Sequence, residues 1–351
     1  MHKWNFLSIS KERKEKINKK ARKNRCKLFA LEYINYKKIT KLPINFEGLY
    51  DIFENFEWII LDYEEAKKCM NVSDPLNIKS RKCLARTFHE RGSKVFLTVY
   101  VKNLKYPNRD YYTIAHELGH IILGHFIEFE ETALARGGLT QKAYDVLERE
   151  ADIFAAELIM PMPVLQKIKV KTYNDIVNIC NVTKSSASIR LSEMKKYWIP
   201  DFIINIYNDT HLLFNDFINK KHCLQCNYGF ISHNSKFCPI CGHNKLIWGD
   251  GKMMYDSIEL NELNKAKICP VCENENTNIE GDYCQICSTQ IRNKCTKCGK
   301  ILIGEARYCN YCNNESTFFK DNLLQDWQTL NSKDIVSYNY SDTIPDSEMP
   351  F

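Results

Sequence analysis

The sequence predicts an α+β fold, with helices around a short mixed sheet in its first 200 residues and three small β-rich modules after it. Three observations predict this. Between residues 41 and 200, runs with helical spacing alternate with short β-type runs such as "EWIILDY" and "VFLTVYV". Between 223 and 312, twelve of the sixteen cysteines form six Cys-x-x-Cys pairs at regular intervals. Near Pro200 one pattern gives way to the other. The organisation expected is a basic helical leader (1–40), a catalytic-type domain (41–200), a linker (201–220), a first module (221–247) and a second linker (248–265). Second and third modules (266–290, 291–316) and an acidic, mobile tail (317–351) complete it.

The elements follow in order. Residues 10–38 read as one long helix capped by Ser10 and uninterrupted by Pro or Gly. Residues 1–27 carry eleven Lys/Arg against two Glu. Such a run reads as a solvated face, or as a contact with a partner or nucleic acid. "LPINFEGLYDIFENF" suggests a short helix after Pro43, and "EWIILDY" a buried strand. "KCLARTFHERGSKVFLTVYVK" suggests a hairpin turning near Gly92. "YYTIAHELGHIILGHF", residues 111–126, is the next helix. "KAYDVLEREADIFAAELIMPM" is another, ended by Pro161 and Pro163. "YNDIVNICNVTKSSASIRLSEMKKYW" reads as two short helices, with Ser185 or Ser186 as the cap of the second. No run of 18 apolar residues occurs and the first residues lack an apolar h-region, so a cytoplasmic protein without a membrane span is expected. In that reducing setting, clustered cysteines point to metal rather than to disulfides. Cys26, Cys69, Cys83 and Cys180 are scattered and read as ordinary small residues.

The histidine helix has the form His-Glu-x-x-His. His116 and His120 are i and i+4, so both rings project from one face and can bind one Zn²⁺. Glu117 lies beside them as the general base that takes a proton from the attacking water. A catalytic zinc needs a third protein ligand. Along one straight helix His125 points about 180° away from His116, so it reads as a surface or loop-contact histidine. On the next helix Glu148 and Asp152 share a face. Glu148 could bind the metal, while Asp152 could accept the outer N–H of a ligand histidine. Glu150, about 200° around the helix from Glu148, is the rival ligand.

"YYTIAHELGHIILGHF", "EREADIFAAELIMP" and "NVTKSSASIRL", in that order, resemble the ImmA/IrrE-type metallopeptidases over roughly residues 40–200. The resemblance implies a small α+β gluzincin-like zinc endopeptidase. Its Glu-x-x-Ala-[Asn/Asp] motif implies Glu148 as the third ligand. It also implies a protein substrate, a helix-turn-helix repressor or similar regulator. The chain departs from that family's usual layout by lacking a repressor-type DNA-binding domain and by adding the cysteine modules.

The cysteine spacing is regular. Cys223, Cys226, Cys238 and Cys241 form the first set, Cys269, Cys272, Cys284 and Cys287 the second, and Cys295, Cys298, Cys309 and Cys312 the third. Each Cys-x-x-Cys knuckle offers two thiolates, and two knuckles close a four-coordinate structural site. Three zinc ribbons are expected, the last two resembling the double-zinc-ribbon class, so the cofactors expected are one catalytic and three structural Zn²⁺. Twelve Lys/Arg and ten Asp/Glu between 220 and 316 leave +2. Three four-thiolate zinc sites, each formally −2, turn that balance negative. Protein recognition is therefore favoured for the ribbons over phosphate binding. The alternatives are a non-enzymatic zinc-ribbon adaptor on a peptidase-like scaffold, or a nucleic-acid-binding regulator using the basic leader. Spacing assigns no residue to the developing oxyanion.

Overall fold

The structure is a computed structural model and describes residues 20–46, 49, 51–53, 56–76, 84–90, 92–105, 107–128, 140–196 and 204–329. The chain divides into two compact units, Met1–Ile218 and Asn219–Phe351.

In the first unit, α1 (Lys23–Tyr36) buries Cys26, Ala30, Leu31, Tyr33 and Ile34. These positions form one face at helical spacing, and that face packs along the helix that carries Glu148, Gln141–Ile159. This part of the expected leader is therefore core. The helix expected over 10–38 starts at Lys23, and its residues 10–19 lie outside the described residues. The sheet has the order β1-β2-β4-β3, with β1 Asp51–Phe53, β2 Phe56–Asp62, β3 Ala85–His89 and β4 Val95–Tyr100. β2 and β4 are parallel, the other pairs antiparallel, so the sheet is mixed. β1 corrects the short helix expected after Pro43. Its few residues are too short for periodicity to separate helix from strand, and pairing with β2 decides it. Gly92 turns the β3–β4 hairpin with φ +81°, a backbone open to glycine at little cost. A helix not anticipated, α2 (Tyr63–Met70), starts in a capping box between Asp62 and Glu65.

α3 (Pro107–Ile122) carries the histidines and opens on proline, whose fixed φ suits a first helical residue. Gly124, with φ +78°, ends it, and α4 (His125–Glu128) starts in a new direction. α5 (Gln141–Ile159) is capped by Thr140, whose Oγ1 accepts from the Ala143 amide at 3.3 Å. The prolines then set off α6 (Met162–Lys167). α7 (Tyr173–Cys180) and α8 (Lys184–Lys196) form the expected helix pair. The cap of α8 is Thr183, whose Oγ1 accepts from the Ser186 amide, rather than Ser185 or Ser186. Arg190 of α8 is buried and donates to Glu157 at 2.6 Å and to the Met160 carbonyl, tying this helix to the end of α5. The segment expected as a linker forms α9 (Ile204–Leu213) and α10 (Asn215–Ile218). Tyr207, Phe214 and Phe217 bury there, and His211 Nε2 lies 3.1 Å from the Pro163 carbonyl oxygen, so the stretch belongs to the first unit.

The second unit begins with β5 (Lys220–Cys223), β6 (Gly229–Ile231) and β7 (Leu246–Ile247) in the order β6-β5-β7, all antiparallel. The expected linker 248–265 is packed rather than free. Tyr255 donates to the Cys226 carbonyl at 2.6 Å, and the Met253 amide donates to the Asn227 carbonyl at 3.1 Å. A Cβ on Gly251 would stand 2.0 Å from the Gly229 amide nitrogen, so two glycine backbones meet where no side chain fits. The tail is also corrected through residue 329. α11 (Thr317–Lys320) and the turn after it bury Phe318 and Leu324 in the core of the second ribbon. Trp327 packs on the core of the first. Small ribbons bury too little surface alone, and these flanking apolar residues extend their cores. Among the described residues no helix is long and apolar enough to cross a membrane.

Candidate metal centres

α3 and α5 meet at Gly119. A Cβ there would lie 3.1 Å from the Ala151 carbonyl oxygen and 3.2 Å from its Cα, so the missing side chain lets the two backbones approach. That approach brings Glu148 under the histidines. His116 Nε2 lies 3.1 Å from His120 Nε2 and 3.2 Å from Glu148 Oε2, and His120 Nε2 lies 3.4 Å from Glu148 Oε1. A tetrahedral ion with metal–nitrogen bonds near 2.05 Å separates its ligand atoms by about 3.3 Å. His116, His120 and Glu148 thus fit as a group that could hold a metal ion. Burial opposes a charge on His116, yet hydrogen bonds to Asp152 and Glu148 outweigh it and push its pKa up to about 10. Burial likewise opposes the Glu148 carboxylate, but the two histidines hold it below the usual carboxylate range. A metal entering here displaces a proton, which couples its binding to pH.

Asp152 Oδ1 stands 3.1 Å from His116 Nδ1, on the outer side of the ring, where the sequence places it. Tyr112 donates to the Asp152 carbonyl at 3.2 Å. Glu117 is buried against the sheet. Trp58 Nε1 lies 2.8 Å from Thr98 Oγ1, Thr98 Oγ1 lies 2.7 Å from Thr87 Oγ1, and Thr87 donates to Glu117 Oε2 at 2.7 Å. The indole only donates and the carboxylate only accepts, so both hydroxyl protons point towards Glu117. Thr87 and Thr98 face each other across the β3–β4 register. Sequence reasoning missed them because pairing, not spacing, brings them together.

His125 and Glu150 require correction. Gly124 breaks the helix, so the straight-helix angle does not apply and His125 turns back beneath His120. It is fully buried, with Nδ1 2.9 Å from His120 Nδ1 and Nε2 3.3 Å from Glu150 Oε2. Burial pushes the His125 pKa down to about 3. Glu150 accepts from the Arg22 amide at 2.8 Å, from Nε at 2.7 Å and from Nη2 at 2.6 Å. Burial works against its charge, but the hydrogen bonds from Arg22 and His125 hold its pKa below the ordinary range. Glu150 therefore points away from the three converging donors and is not a rival ligand.

In the second unit the three expected cysteine sets each converge, with sulfur atoms within 4.8 Å of one another. Neighbouring Sγ atoms of the two knuckles lie 3.5 Å apart in the first and second sets and 3.4 and 3.7 Å apart in the third. These are far beyond a disulfide bond and near the edge of about 3.8 Å that a tetrahedral ion with 2.3 Å metal–sulfur bonds requires. All six knuckles close alike. The amides of Asn227, Gly242, Glu273, Ser288, Gly299 and Asn313 donate to the carbonyls of Cys223, Cys238, Cys269, Cys284, Cys295 and Cys309. Each donating residue has a left-handed φ between 56° and 72°. The glycines at 242 and 299 signal this conformation in the sequence, while Glu273 and Ser288 give no such signal.

No curated protein matches the chain. The match to a family model spans α3, α5 and most of α8, and it includes His116, Glu117, His120 and Glu148. Residues 76–192 match the model of the Peptidase_M78 family, described as an IrrE N-terminal-like domain.

Proposed function

We propose that the chain is a zinc-dependent endopeptidase of a protein substrate. The observation that carries this reading is the convergence of His116 Nε2, His120 Nε2 and a Glu148 carboxylate oxygen within 3.4 Å, one residue from Glu117. Zn²⁺ held by these three supplies Lewis acidity to the attacking water and to the scissile carbonyl. Glu117 accepts the water proton and returns it to the leaving amine. Its Oε2 is engaged by Thr87, which leaves Oε1 as the proton acceptor. Asp152 holds the His116 ring by its outer nitrogen. The twelve cysteines hold three structural zinc ions, and four thiolates leave those sites no open position for chemistry. The free thiols and the clustered cysteines support a reducing, cytoplasmic setting. The resemblance supports a helix-turn-helix regulator as substrate, and the negative balance of the loaded ribbons supports protein recognition there.

Elemental analysis of the full chain tests the reading together with peptide hydrolysis. Wild type is expected to hold four zinc ions and Glu148→Ala three. Glu117→Gln should keep four and lose hydrolysis. Three ions in wild type after zinc reconstitution, or unchanged hydrolysis by Glu117→Gln, would sink it.

A further inference from the structure

We infer that Arg22, Glu150 and His125 form a positioning chain that fixes the tautomer of His120, leaving its Nε2 lone pair aimed at His116 and Glu148. The inference rests on the metal site proposed above and assigns roles to three residues that do not themselves reach the metal donors.

The argument follows donors and acceptors along the chain. An arginine only donates, and Arg22 places its backbone amide and two guanidinium nitrogens on Glu150. The carboxylate so held only accepts. His125 Nε2, 3.3 Å from Glu150 Oε2, must therefore carry the ring proton. At the other end His120 Nε2 converges with His116 and Glu148 on the metal position, so the His120 ring proton belongs on Nδ1, and His125 Nδ1, which faces it at 2.9 Å, accepts. Once the His120 proton is on Nδ1, Nε2 is bare. A ligand nitrogen has to be in this state, and outer hydrogen bonds of this kind select it. The outer nitrogen of His116 is held likewise by Asp152, directly by a carboxylate. That of His120 is held through a second imidazole, because α4 turns back at Gly124 and fills the space beneath it. The far end of the chain is the residue that caps α1, so the junction between the basic segment and α1 is tied to the metal donors.

A role in packing alone would tolerate an isosteric change, and the chain does not. In Glu150→Gln the carboxamide oxygen stays with Arg22 and its NH₂ faces His125 Nε2. His125 must then carry its proton on Nδ1, and His120 on Nε2, the nitrogen that has to be bare. Long-range ¹H–¹⁵N correlation on the full chain reads each tautomer directly. The His/Glu site is first cleared of zinc by a mild chelator, and the nine histidines are assigned by single substitutions. Wild type is expected to show His120 protonated on Nδ1 and His125 on Nε2. Glu150→Gln should reverse both, and His125→Phe should leave His120 without a preferred tautomer. Competition with a chelator, using Zn²⁺ itself, should show the His/Glu site weakened about 10–100-fold in both variants while the cysteine sites stay loaded. A His120 protonated on Nε2 in wild type would overturn the inference, as would Glu150→Gln with unchanged tautomers and zinc affinity. Wild type with the expected tautomers but no zinc at this site would uphold the tautomer assignment and defeat the peptidase reading instead.

Discussion

Replacing Gly119 by alanine sets two opposed effects against each other in the middle of α3. Alanine is the better helix former by about 1 kcal/mol, so local propensity predicts a gain. The tertiary structure predicts a loss. The new Cβ would lie 3.1 Å from the Ala151 carbonyl oxygen, 3.1 Å from Phe154 Cδ1 and 3.2 Å from Ala151 Cα. Carbon contacts are best near 3.5–4.0 Å. The phenyl ring can rotate away, but the other two atoms are α5 backbone, so α5 must move out by a few tenths of an ångström. Overpacking of this kind costs about 1–3 kcal/mol, and the net expectation is a loss of about 0–2 kcal/mol. The displacement carries Glu148, less than one turn from Ala151, away from the two histidines. Ligand distances tolerate only about 0.2 Å, so zinc at the His/Glu site should be lost at lower chelator concentration. Urea unfolding followed by helical circular dichroism, which the first unit dominates, reads the stability, and chelator competition reads the site. A variant more stable by about 1 kcal/mol with unchanged zinc retention would refute the close-approach argument.

Three further predictions follow from other contacts. Thr87→Val keeps the shape of the side chain but strands the Thr98 hydroxyl and Glu117 Oε2, at a cost of about 1–3 kcal/mol; Thr87→Ser should recover most of it in the same urea measurement. Glu273, left-handed at φ +57°, spends about 1–2 kcal/mol on that conformation. Glu273→Gly should therefore make the second cysteine site harder to strip by about 0.5–1 kcal/mol in chelator competition, after allowing for glycine's greater freedom when unfolded. Burial works against charge on Asp175, but hydrogen bonds from the Thr172 and Lys171 amides hold its pKa below the usual range. A depressed folded pKa stabilises above the unfolded value of about 3.9 and is lost as pH falls through the folded one. Wild type should exceed Asp175→Asn by about 0.5 kcal/mol at neutral pH, and unfolding curves across acidic pH should show the gap closing only below pH 4.

Much of the fold can be traced in the residues. "EWIILDY" reads as a buried strand, "VFLTVYV" alternates as the second strand of the Gly92 hairpin, and the two long helices end where glycine or proline stops them. β1 did not show itself, because its three residues are too few for periodicity to separate strand from helix, and only pairing with β2 decides it. The flanks of the ribbons misled for a related reason. Segments 248–265 and 317–329 look like linker and tail by local pattern, yet Tyr255, Phe318 and Leu324 bury because three small ribbons lack core of their own.

The same division runs through the candidate site. The sequence by itself determined that His116 and His120 share a helix face beside Glu117. It determined that Glu148 and Asp152 share the face of a second helix, and that twelve cysteines pair into four-thiolate sets. Those are consequences of 3.6-residue periodicity and knuckle spacing, which act within a few residues. Only the tertiary structure decided that His125 and Glu150 stand behind His120, that Arg22 closes their chain from 128 residues away, and that Thr87 and Thr98 hold Glu117. These depend on where Gly124 redirects the chain, on how closely Gly119 lets two helices approach, and on which strands pair. Hydrogen-bond partners distant in sequence are chosen by packing, and packing has no short-range spacing to betray it.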